Sequence, residues 1–135
     1  MKTQLAPDIN NKVKDVVFKL RLEYINPDNV VCMRSYGAKT RAIARIWSLP
    51  KIWQKALHFE PHYIIEVVSE KYDRQSDAEK DRTIIHELMH IPKGFGGGLV
   101  PHLCFGKKIN RAGVEKLYET YKKAQSDDGF EPYEI

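Results

Sequence analysis

Cysteine is scarce in this chain: the two present, Cys32 and Cys104, stand far apart and form no C-x-x-C pair. A disulfide framework and a four-cysteine zinc site are thereby excluded, and two reduced, buried thiols are expected. No apolar run approaches the roughly 20 residues that span a bilayer, so no membrane partner is expected. The opening MKTQLAPDINNKVKD holds no apolar segment of secretory-signal length, and the expected location is the cytoplasm. Repeats and domain linkers are missing too. With 42% hydrophobic and 30% charged residues, the 135-residue chain falls outside the composition of disordered proteins. One domain is expected, large enough to bury about two-thirds of its unfolded surface.

Acidic residues are absent between Asp28 and Glu60, whereas Arg34, Lys39, Arg41, Arg45, Lys51 and Lys55 all fall there, together with Tyr36, Trp47 and Trp53. Basic side chains interleaved with aromatics suit nucleic-acid contact, with Arg41 and Arg45 as candidates; a basic strand carrying core tryptophans has the same composition. Lys107 and Lys108, beside Arg111, form a second small basic cluster open to two readings, phosphate contact or a solvated face.

What is present is a set of clear periodicities. Ile9, Val13, Val16, Val17, Leu20 and Tyr24 recur at three- and four-residue spacing, which predicts an amphipathic helix over Pro7 to Tyr24. VVCMRSYG and TRAIARIW, rich in β-branched and aromatic residues and separated by a turn containing Gly37, are expected to pair as a hairpin. SLPKIWQKALH predicts a short helix with Pro50 in its first turn, and HYIIEVVSE a further strand. A capping box, Ser76 with Glu79, opens a helix that Pro92 closes. Val114, Leu117, Tyr118 and Tyr121 mark a last helix over Asn110 to Gln125. The acidic SDDGFEPYEI at 126–135 is expected to be a flexible tail.

TIIHELMHIP lies on the helix opened by Ser76. Residues i and i+4 are neighbours on one helical face, so His86 and His90 can aim imidazole nitrogens at one zinc ion about 2.0 to 2.1 Å away. Glu87, one position along, leans to the side of that ion, where a carboxylate can take a proton from water and pass it to a leaving amine. A catalytic zinc takes three protein ligands and keeps one position open, so a third is required. No histidine stands six residues past His90, which excludes HExxHxxGxxH. His102 is the nearest histidine downstream, and the glycines at 94 and 96–98 would let the chain double back to it. Glu115, Glu119 and Cys104 are the rivals. The glycines of KGFGGG do not make a phosphate loop, because they leave a helix C-terminus and lack the Gly-Lys-Ser/Thr ending. His58 and His62 are also four apart, but Pro61 between them breaks the helix such a pair would need.

LPKIWQKAL and EKDRTIIHELMHIPKGFGGGLVPH resemble a metallopeptidase family found in phage and archaeal genomes, itself similar to the SprT-like zincins. The likeness runs from about Val30 to Tyr121 and is most specific from Ile84 to His102. It implies HExxH on a helix beneath a small sheet, with His86, His90 and His102 as ligands of Zn2+ and Glu87 as catalytic base. The expected fold is α+β and zincin-like: an N-terminal helix, a small mostly antiparallel sheet, the HExxH helix and a C-terminal helix, in one domain over 1–125.

The expected function is a zinc-dependent peptidase acting on proteins or peptides. A zinc-containing nucleic-acid-associated module, or a protease acting on DNA-bound proteins, is the alternative. In a peptidase an edge strand, with HYIIEVVSE as candidate, would hold the extended substrate by strand addition.

Overall fold

Pro7 stands in the first turn of helix α1 (Pro7–Lys19), where a missing N–H leaves no bond unmade, and Ile9, Val13, Val16 and Val17 form its buried stripe. Periodicity extends the helix to Tyr24, yet it ends five residues earlier. Arg21 takes a left-handed φ of 54°, and Leu22 N–H reaches back to the Val17 carbonyl while Arg21 N–H bonds Phe18. This is a Schellman closure with arginine in the usual glycine position. Leu22 and Tyr24 still pack against the core, which is why they keep the helical rhythm beyond the helix.

The computed structural model describes residues 1–104 and 107–128. The fold is α+β, with five helices and a four-stranded mixed sheet. The strands are β1 (Lys2–Leu5), β2 (Val30–Tyr36), β3 (Ala44–Ser48) and β4 (Tyr63–Val68), in the spatial order β1-β2-β4-β3. The β1–β2 and β3–β4 pairs are antiparallel, and the central β2–β4 pair is parallel. The expected hairpin of β2 with β3 is therefore not formed: β4 lies between them. HYIIEVVSE, the candidate edge, is instead the apolar middle of the sheet, with Tyr63, Ile65 and Val67 wholly buried. The edges are β1 and β3.

Val30, Cys32, Ile65 and Val67 face a single core shared with α1, α4 (Asp77–Met89) and α5 (Arg111–Asp128). Each of the three aliphatic side chains contributes about 1.5 to 3 kcal/mol by leaving water. Polar ties lock the helices to one another. Lys12 bonds Asp81 at 2.6 Å, and the Tyr121 hydroxyl donates to Asp15 at 2.5 Å.

Helix α2 (Lys51–Leu57) fills the connection from β3 to β4 and leaves Ile52, Trp53 and Leu57 exposed. It is fastened through Gln54, the one side chain of α2 that is partly buried. A single turn, α3 (Ser69–Tyr72), follows β4, and a short antiparallel pair, β5 (Leu103–Cys104) and β6 (Lys107–Lys108), precedes α5. Among the described residues no helix is long and apolar enough to cross a membrane. Of the expected flexible acidic tail at 126–135, residues 126–128 instead continue the last turn of α5, and the rest lies outside the described residues.

Candidate metal centre

Ser76 starts α4 as expected: its Oγ accepts from the Glu79 amide at 3.2 Å, and Asp77 and Glu79 place negative charge on the positive helix end. Ile84, Ile85 and Leu88 bury one side of the helix beneath the sheet. His86 and His90 follow on the flank, one turn apart, with ring centroids 5.3 Å from each other. His90 is the C-cap residue, so its position is set by the end of the helix rather than its middle. Glu87 is 8% exposed.

Past Pro92 the chain turns through its glycines and comes back as Val100. The Val100 amide donates to the His90 carbonyl at 2.7 Å, and the Val100 carbonyl accepts from His90 Nδ1 at 2.5 Å. Two residues on, His102 swings over the pair. Its Nε2 lies 3.2 Å from His86 Nε2, and its ring centroid 4.7 Å from that of His90. One nitrogen from each ring falls within a set whose members are all within 4.8 Å of one another.

Three imidazoles are a suitable donor set for a divalent cation of intermediate softness. Two nitrogens held tetrahedrally at 2.0 to 2.1 Å from one ion stand roughly 3.3 Å apart, close to the His86–His102 separation. Nitrogens facing each other so closely must share a proton or a cation, since two lone pairs repel. The His90 hydrogen bond settles its tautomer: a carbonyl only accepts, so Nδ1 carries the proton and Nε2 keeps its lone pair. Burial, and then repulsion from His90 and His102, hold the His86 imidazole below its ordinary pKa, which favours the form that has a lone pair to donate. The residues therefore fit a metal ion.

Burial pushes the Glu87 carboxyl up to about 7, the range in which a group both takes and returns protons near neutrality. Glu115, a rival third ligand, lines the same cleft, but its carboxylate is occupied by Arg82, at 2.9 Å from Nε and 3.4 Å from Nη2. Among the described residues the three histidines are the one group of His, Cys, Asp and Glu arranged to hold an ion, and Glu119, His58 and His62 are not in it. The side chain of Cys104 lies outside the described residues.

The site opens into a cleft of about 1130 Å³, walled on one side by Ala44 and Ile46 of β3 and on the other by α4 and the start of α5. Arg41 is exposed at this cleft. Arg45, the other nucleic-acid candidate, is committed: it bonds Glu66 at 2.8 and 3.2 Å, and Trp47 Nε1 donates to the same carboxylate at 2.9 Å. The side chains of Lys107 and Lys108 lie outside the described residues. The residues that position the site without a motif are Tyr63 and Gln54, which bond the glycine loop. Neither carries a signal in the sequence, because each acts on backbone atoms more than 30 positions away.

A family model described as "Putative phage metallopeptidase" matches residues 1–125. The chain belongs to this family. No curated protein and no solved structure is matched by the chain. Membership makes a metal-dependent peptidase the class of activity and proteins or peptides the class of substrate, and it agrees with a triad of histidines able to hold a metal.

Proposed function

We propose that the protein is a zinc-dependent endopeptidase of the HExxH type and zincin-like fold, with His86, His90 and His102 as ligands and Glu87 as general base. The observation that carries the reading is the convergence of three imidazoles beside one buried glutamate, on a cleft bordered by an edge strand. Zinc, when bound, supplies Lewis acidity at the scissile carbonyl and acidifies a water molecule. Glu87 accepts the proton of the attacking water and returns it to the leaving amine. Its near-neutral pKa suits both transfers.

His90 is oriented through its bond to Val100, and the lowered pKa of His86 favours the form that has a lone pair to donate. The substrate lies extended along β3, whose outer edge pairs with no strand among the described residues, and its main chain completes that ladder. Side chains of the substrate then alternate between the cleft and solvent.

Zinc content and cleavage of an unfolded protein substrate, measured in wild type beside Glu87→Gln, test the reading. One zinc per chain in both, with cleavage in wild type alone, is the expected result. A Glu87→Gln variant that cuts at the wild-type rate would remove Glu87 from the mechanism, and a wild type that retains no divalent metal would remove the site.

A further inference from the structure

His102 is the one proposed ligand that lies beyond α4 and its C-cap, so its placement depends on how the preceding loop is held. That loop is tied down by side chains from outside it. The Tyr63 hydroxyl accepts from the Gly97 amide at 2.9 Å and donates to the Gly98 carbonyl at 2.8 Å. Gln54 Nε2 donates to the Gly96 carbonyl at 3.0 Å and to the Leu49 carbonyl at 2.8 Å. Three successive residues of the loop are thus bonded to β4 and α2. Gly97 has φ +107°, and a Cβ there would stand 2.6 Å from the Leu49 carbonyl oxygen and 2.5 Å from Gln54 Nε2. Only glycine lets the backbone approach this closely.

We infer that Tyr63, with Gln54 beside it, is a positioning residue for the third histidine: its hydroxyl fixes Gly97 and Gly98 so that His102 meets His86 and His90. The inference rests on the reading of His102 as a ligand. Tyr63 is wholly buried, and its ring packs against Phe95 with centroids 5.1 Å apart. A phenylalanine would fill that space equally well, so the hydroxyl serves the loop rather than the core. Downstream of the tie the path is short. Val100 is locked to His90 on both sides, and His102 follows two residues later with its carbonyl accepting from Ile109. Loss of the hydroxyl frees two backbone groups at the start of this path and leaves the placement of the histidine to the Val100–His90 pair alone.

The test is a metal-affinity cycle on the full chain, with zinc measured in competition with a chromophoric chelator and cobalt(II) absorption as a second readout of ligand geometry. The proteins are wild type, Tyr63→Phe, His102→Ala and the double variant. Tyr63→Phe is expected to weaken zinc about tenfold, the lower end of what supporting residues contribute at metal sites, and to dim the cobalt bands. In the His102→Ala background the same change is expected to do nothing further, because the hydroxyl acts through the histidine it positions.

Wild-type affinity in Tyr63→Phe, with His102→Ala weakened, would overturn the inference and leave the ligand assignment standing. Equal losses in both backgrounds would make Tyr63 a residue of the fold alone. Wild-type affinity in His102→Ala would end the ligand reading and the inference with it. Should Tyr63→Phe not fold, Gln54→Ala runs through the same cycle with the same outcomes.

Discussion

Val100 and His90 are paired twice, amide to carbonyl at 2.7 Å and carbonyl to imidazole at 2.5 Å. This joins the end of α4 to the returning arm of the loop and leaves His90 with a protonated Nδ1. In metal-free protein the His90 ring is therefore expected to show the Nδ1–H tautomer in nitrogen-15 NMR correlation spectra at pH 8. On zinc addition the Nε2 resonance, and not Nδ1, should shift. A metal-induced shift at Nδ1 would mean that the Val100 bond is broken on binding.

Replacing the proposed third ligand and replacing its rival should have opposite results. His102→Ala is expected to weaken zinc by about 100-fold or more, at least the upper end for supporting residues. Glu115→Gln should leave zinc affinity unchanged, since that carboxylate is held by Arg82. Glu87→Gln should keep the zinc and lose about 10²- to 10⁴-fold in kcat/KM, the usual contribution of a positioned base. Isothermal titration and a peptide-cleavage assay on the three variants separate these outcomes.

Glu87 should also leave a mark on the stability of the metal-free protein. Its carboxyl titrates near 4.5 when exposed and at about 7 when folded, so between those values the native state binds more protons than the unfolded chain. Stability then falls as pH rises through that window and levels off above it. Gln mimics the protonated carboxyl. Relative to Glu87→Gln, apo wild type is expected to lose roughly 3 kcal/mol between pH 4.5 and 8. Urea titrations of both proteins across this range check it, and parallel curves would mean that Glu87 ionises freely.

Arg34 sets the opposite limb. It bonds Asp8 of α1 at 2.7 and 2.9 Å and Asp73, just after α3, at 2.9 and 3.0 Å. Its hydrogen bonds hold both carboxyls below their ordinary value of 3.8. The stabilisation is in place above about pH 4 and is lost as pH falls through the lowered folded values. Arg34→Met is expected to cost on the order of 1 kcal/mol at pH 7, a modest figure because Asp8 is well exposed. The penalty should shrink as pH falls through the lowered folded values, as read by thermal melts. A pH-independent penalty would point to packing of the arginine stem instead.

The parts of the site that reside in local sequence were legible, and those that depend on pairing were not. The Ser76 cap, the flank of α4 and the spacing of His86 to His90 follow from helical geometry alone. His102 stands out in the sequence as the candidate third ligand because the glycines before it allow the chain to return to the helix. Strand pairing is different. VVCMRSYG and TRAIARIW have the same strand character whether they pair with each other or with a third segment, and the register that sets Arg45 opposite Glu66 cannot be read from either one. A count of basic residues therefore overstated the free charge between Asp28 and Glu60. β1 has no strand signature in the sequence, because KTQL is exposed at all four positions and shows no buried alternation. Tyr63 looked like any apolar strand residue, and its use is visible only once the glycine loop lies above it.

The bond between Tyr121 and Asp15 joins two positions 106 residues apart. On the ribosome, α1 and the HExxH helix emerge long before the partner that covers them. A nascent chain halted at the glycine loop already holds His86, Glu87 and His90, but neither His102 nor the last helix. Closure of the core and the meeting of the three imidazoles thus wait on the same later stretch of chain, His102 through α5, and a chain halted before it has neither.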